Sequence, residues 1–227
     1  MQKHRDVRRC AAYVCLPLLF CAAAVPAQEA EQTLSADAAL ARLWAGNQRY
    51  IADKEQHPDE SLARRKELVE GQHPFAVILG CADSRVAPEL LFDQGLGDLF
   101  VIRVAGNIVD DAVLGSIEYA VEHLGTKLIV VLGHEKCGAI SAAVEGGAAA
   151  GHLKSLVTAI RPAVQATAHD PGDKIHNCVV ANARRVATQI RESKPVLKEQ
   201  VANNRVKVVA ADYELDTGRV RLLEPHQ

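Results

Sequence analysis

Along the chain, short unbroken apolar runs alternate with longer stretches in which apolar positions recur every three or four residues. The short runs are Phe75-Ala76-Val77-Ile78-Leu79-Gly80, Leu99-Phe100-Val101-Ile102-Arg103-Val104, residues 127–133 and Val206 to Tyr213. Runs of this length bounded by glycine or polar residues predict strands. The unbroken apolar character of the first predicts burial on both faces, as in a parallel sheet.

The longer stretches predict helices. After Ser35, a good cap, the spacing of Ala38, Leu40, Ala41, Leu43, Trp44 and Tyr50 gives an amphipathic helix over 35–53. A charged helix follows over 61–70 and stops at Gly71, and Pro88 opens a short one through Phe92. Asp111 caps the next, whose apolar face is Val113, Ile117, Ala120, Val121 and Leu124 and which Gly125 ends. Further helices are predicted after Gly138, over 153–168 and 174–193, and from Pro195. Asp216-Thr217-Gly218 then forms a turn, with Val220 to Leu223 as hairpin partner of the last long strand. Strands and helices alternate with short connections, which predicts an α/β fold: a parallel-core β-sheet flanked by helices, with a C-terminal strand pair.

The first residues follow a different pattern. Lys3, Arg5, Arg8 and Arg9 precede an uncharged stretch from Cys10 to Ala27, and Gln28, Glu29 and Glu31 restore polarity. That layout predicts a secretory signal peptide over 1–27, cleaved after Ala27, ahead of one catalytic domain over 28–227. The exported domain would work in the periplasm of an organism with two membranes, with no stable membrane association after cleavage. A formal charge of -2 and an aromatic content of 4% give no electrostatic or stacking basis for nucleic acid as a partner.

Cysteine usage changes the picture more. Of six cysteines, Cys10, Cys15 and Cys21 lie in the leader, leaving Cys81, Cys137 and Cys178. An odd three in an exported chain is no disulfide framework. Cys178 sits in a helical stretch with Val179 and Val180 and reads as core. Cys81 and Cys137 each follow a predicted strand, in Cys81-Ala82-Asp83-Ser84-Arg85 and His134-Glu135-Lys136-Cys137-Gly138. Neighbouring parallel strands end side by side, so Cys81, His134 and Cys137 can converge although 53 residues separate Cys81 from His134. Two thiolates and an imidazole are a zinc-like set that leaves a fourth position open. Asp83 stands where it can reach the metal, as a fourth ligand in a closed state, or hydrogen-bond the metal's water, with Arg85 holding its carboxylate.

Together these residues resemble the β-class carbonic anhydrases. Cys81-Ala82-Asp83-Ser84-Arg85 matches that family's first motif and His134-x-x-Cys137-Gly138 its second, while Arg103-Val104-Ala105-Gly106-Asn107 is similar to the segment between them. The resemblance implies one Zn2+ per subunit on Cys81, His134 and Cys137, with Asp83 and Arg85 as a catalytic dyad. It implies reversible hydration of CO2 to bicarbonate and a proton by zinc-held hydroxide, in a homodimer or higher homo-oligomer. Gln94 is the candidate for the glutamine with which some members contact substrate. Ile78 stands where other members carry the tryptophan of a regulatory bicarbonate pocket. Two alternatives share the motifs: a hydrolase of carbonyl sulfide or carbon disulfide, and a non-catalytic zinc-binding interaction domain, which would leave Asp83 and Arg85 without a purpose.

Overall fold

A computed structural model describes residues 34–147 and 149–223. The leader predicted over 1–27 lies outside the described residues. Helix α1 (Ala36–Ile51) comes first, with the Ser35 hydroxyl accepting from the Ala38 N–H as the cap predicts, and α2 (Leu62–Glu67) is capped in the same way by Ser61. Then follow β1 (Ala76–Gly80), α3 (Pro88–Leu91), β2 (Leu99–Arg103), a single 3-10 turn (Ala105–Asn107), α4 (Asp111–Glu122) and β3 (Leu128–His134). The chain continues through α5 (Gly138–Glu145), α6 (Leu153–Ala166), α7 (Lys174–Glu192), α8 (Val196–Ala202), β4 (Lys207–Tyr213) and β5 (Val220–Leu223).

The five strands form one sheet in the order β2-β1-β3-β4-β5. The first four are parallel and β5 pairs antiparallel with β4, as expected. Alternation along β1 splits the core in two. Ala76 and Ile78 pack with Ala39 and Leu43 of α1, whereas Val77 and Leu79 pack with Ile117 of α4 and Val186 and Ile190 of α7. Every residue of β1 and β3 is buried. Strand β2, although as apolar as β1, is only half-buried, because it forms an edge. Apolar content therefore did not distinguish a central strand from an edge one.

Two local expectations need correction. The cap of α4 is Asp110, whose carboxylate accepts from the Val113 N–H at 2.9 Å; Asp111 is the first helical residue. Adjacent aspartates offer the same side chain, and only the extended backbone at Asp110 selects between them. The predicted 61–70 helix ends at Glu67, after which turns carry the chain to β1.

Helix α1 is seated by close contact. A Cβ placed on Gly46 would lie 1.7 Å from the Phe92 carbonyl oxygen, a backbone atom that cannot swing away. On α4, Gly115 has nothing within 4 Å of the same position. We expect Gly46→Ala to lower unfolding stability by about 3 kcal/mol through overpacking. Gly115→Ala should raise it by about 0.5–1 kcal/mol through helix propensity. Thermal unfolding of the two variants side by side checks both signs.

Candidate metal centre

Strands β1 and β3 are neighbours in register, Leu79 opposite Val131. Their C-terminal ends deliver Cys81 and His134 to the same edge of the sheet. A tight turn through Glu135 and Lys136 then reverses the chain, with Lys136 at φ 52°, a conformation uncommon for a residue with a side chain. Cys137 lands at the N-cap of α5, facing back toward His134. The sulfurs of Cys81 and Cys137 lie 3.9 Å apart, and with a ring nitrogen of His134 the three ligand atoms all fall within 4.8 Å of one another. All three residues are buried. They are the one such group among the described residues.

The donor set fits zinc in its details. His134 Nδ1 lies 2.8 Å from the Glu135 carbonyl oxygen, which assigns the proton to Nδ1 and leaves the lone pair on Nε2. That Nε2 is buried and has no hydrogen-bond partner, a costly state for an imidazole unless a cation takes the lone pair. Between the sulfurs, the hydrogen bond from the Cys137 thiol is the main influence lowering the Cys81 pKa, and the same bond raises that of Cys137. Burial disfavours the charged form of His134, but the neighbouring Cys81 sulfur, with the Glu135 carbonyl and Asp83, outweighs it and raises the imidazole's pKa. Backbone N–H groups of Ala139 and Ile140 at the start of α5 favour the Cys137 thiolate, as expected near a helix N-terminus.

Asp83 and Arg85 sit beside this cluster. Asp83 Oδ1 accepts from Arg85 Nε at 2.9 Å and from the Arg85 backbone N–H at 3.0 Å, and Oδ2 accepts from Arg85 Nη2 at 2.8 Å. Oδ2 is also 3.9 Å from His134 Nε2. Arg85 holds the Asp83 carboxyl well below the usual carboxylate range, so it is ionised throughout the physiological range. Arg85 Nη2 reaches the Lys136 carbonyl at 3.3 Å, tying the first cluster to the second.

Sequence reasoning singled out the segment Arg103 to Asn107 by its resemblance but gave Arg103 and Gly106 no role in this geometry, and it missed Asn182. Arg103, at the end of β2, donates from Nε to the Cys81 carbonyl at 2.9 Å and from Nη2 to the Asp83 carbonyl at 2.6 Å. The Gly106 N–H points at Cys81 Sγ from 3.3 Å, and Gly106 has φ 74°. Its carbonyl accepts from Asn182 Nδ2 at 2.9 Å, an amide with no solvent exposure on α7. A signal was present: Asn182 is the polar member of an otherwise apolar stripe that also holds Cys178, Val179, Ala183, Val186 and Ile190. Cys178 itself is fully buried core, as read from its neighbours.

Gln94 is not brought to this site. It lies near Phe75 at the opposite end of β1, where Arg42 Nε donates to its Oε1 at 2.9 Å and its Nε2 donates to the carbonyls of Phe92 and Asp93. Arg42 also stacks over the Phe75 ring, 4.3 Å from the centroid. Both ends of the amide are used in buried hydrogen bonds within the subunit, away from the three metal-type ligands.

A four-stranded parallel core with an open Cys-His-Cys centre at the C-terminal strand ends, backed by an Asp-Arg pair, defines a class of metal-dependent α/β protein. Residues 76–220 match the carbonic anhydrase family. Carbonic anhydrase 2 of Mycobacterium tuberculosis is 42% identical over 189 residues, covering 82% of this chain and 91% of that protein. A carbonic anhydrase of Mycolicibacterium smegmatis is 39% identical over 82% of this chain and 92% of its own length. Among solved structures, a tetrameric β-carbonic anhydrase from Sordaria macrospora superposes with a TM-score of 0.66 at 26% identity, covering 82% of this chain and 94% of that one. The chain belongs to the carbonic anhydrase family, in its β class.

Two predictions follow from these contacts. Asn182→Ala frees the Gly106 peptide, and zinc affinity measured by chelator competition should fall by about tenfold. Asp212, next to the centre on β4, is 5% exposed, one carboxylate oxygen lacks a partner, and burial pushes its pKa up to about 6. A raised folded-state pKa means that the native chain holds a proton the unfolded chain has already released, so this residue's stabilisation is present below pH 4 and lost as pH rises to about 6. Asp212→Asn should therefore stabilise the protein by about 2–3 kcal/mol at pH 8 and by little at pH 4, read by thermal unfolding at each pH.

Proposed function

We propose that Asp83, held by Arg85, orients the attacking water in the zinc-dependent reversible hydration of CO2 to bicarbonate and a proton, the reaction of the family to which the chain belongs. The carrying observation is the bidentate Asp83-Arg85 pair set beside three metal-type ligands. Cys81, His134 and Cys137 would hold the zinc. When bound, it supplies the Lewis acidity that makes water nucleophilic near neutral pH, an effect usually illustrated by carbonic anhydrases with other ligand sets.

The remaining work belongs to the chain. Both Asp83 oxygens take hydrogen bonds from Arg85, which supports an open centre in which the carboxylate serves as an acceptor rather than a fourth ligand. Ionised at all physiological pH values, Asp83 can only accept, so the water or hydroxide donates its O–H to the carboxylate and keeps a lone pair directed toward carbon. Arg85 and Arg103 hold the backbone and carboxylate still while charge moves. The released proton passes to solvent.

The protein acts as a homo-oligomer in this reading, supported by the half-buried apolar edge strand β2 and by the tetrameric relative. Export to the periplasm rests on the pattern of residues 1–27. Asp83→Asn keeps the shape of the side chain and removes its charge. It should lower kcat for CO2 hydration by about a hundredfold with zinc content unchanged, checked by stopped flow and metal analysis of one sample. Turnover equal to the parent would remove Asp83 from the reaction.

A further inference from the structure

Away from the metal centre, α7 presents a second row of chemistry. Arg184, Thr188 and Arg191 recur at helical spacing and, with Arg185, line a cavity of about 360 Å3. Thr167 and Asp170, at and beyond the end of α6, form the facing wall, and β4 and β5 close it. Arg184 and Asp170 balance in charge, so Arg185 and Arg191 leave the cavity at a net charge of +2.

Those two arginines are fixed by the backbone and not neutralised by it. Arg185 Nη1 donates to the Ala159 carbonyl at 3.1 Å, and Arg191 Nη2 donates to the Val208 carbonyl at 2.7 Å. Among the described residues no carboxylate lies at ion-pair distance from either. A guanidinium carries five N–H donors, so each retains several after its single carbonyl bond. Arg191 is half-buried, and burial lowers its pKa, the mark of a cation held partly out of water without a counter-charge. Carbonyl bonds that set the forks in advance reduce the ordering cost of any ligand they receive.

We propose that this cavity is a binding site for a small oxyanion of charge -2, for which inorganic phosphate is the simplest probe. Planar guanidinium forks match tetrahedral and carboxylate oxygens two at a time, and two of them match two charges. A volume near the lower end of ligand pockets suits a small metabolite carrying such a group. Asp170, exposed at the wall, disfavours larger polyanions.

The test is calorimetric titration of the zinc-loaded protein with phosphate at constant ionic strength, with acetate as the monovalent control. Anions also bind open zinc centres, so the titration is repeated on Cys137→Ala. The expected result is one phosphate per subunit with Kd below about 1 mM, retained in Cys137→Ala. Affinity should weaken by about tenfold or more in Arg185→Gln and in Arg191→Gln, with acetate weaker by a similar factor. Thr188→Val, at an exposed position, supplies a third reading should an arginine variant fail to fold. Binding that disappears in Cys137→Ala and survives in the arginine variants would place the anion at the metal and overturn the proposal. Absence of heat, or equal affinity for acetate with no dependence on the arginines, would mean an adventitious ion only and also overturn it. Binding seen only in a chain shortened to Leu223 would assign the arginines to residues 224–227, with the same consequence.

Discussion

Two thiolates and an imidazole cannot be buried together without a cation, and most of the chain's unusual features answer that constraint. An uncompensated negative charge in an apolar interior costs several kcal/mol, more than a small domain can absorb at one site. The protein offsets it with backbone N–H groups aimed at sulfur: Gly106 on Cys81, and Ala139 and Ile140 on Cys137. The bare His134 Nε2 marks the direction from which the remaining charge must come.

Those donors work only if the backbone carrying them stays put. Gly106 has φ 74°, and a Cβ there would meet the Ile160 side chain of α6 at 2.8 Å, so the loop is seated against α6 as well as tied to α7 by Asn182. Arg103 ties the Cys81 and Asp83 carbonyls to the end of β2. Arg85 joins the first metal-binding loop to the second. Four elements from distant parts of the chain thus meet on a few atoms around one sulfur pair.

Helix α7 has a double task in this arrangement. One stripe packs on β3 closely enough that a Cβ on Gly133 would lie 3.1 Å from Val179, and it delivers Asn182 to the loop behind Cys81. Another carries arginines whose backbone bonds hold them against a cavity instead of against carboxylates. A helix so constrained on two faces tolerates few changes at its buried positions.

Unbroken apolar runs alternating with helical spacing placed β1 to β4 within about a residue, and the Asp216-Thr217-Gly218 turn placed β5, because apolar runs and turn residues are signals that the local sequence carries. The chemistry at the strand ends was as legible: Cys81, His134, Cys137, Asp83 and Arg85 fall where expected, since parallel strands must end together. What the chain could not disclose alone were contacts whose partners share no local pattern. Asn182 lies 76 residues from Gly106, Gln94 is held by Arg42 from a helix 52 residues away, and Asp110 and Asp111 differ only in backbone angle. Periodicity reports which face of an element is buried. Which atom it is buried against depends on how the helices settle on the sheet, and that is decided only when the whole core closes.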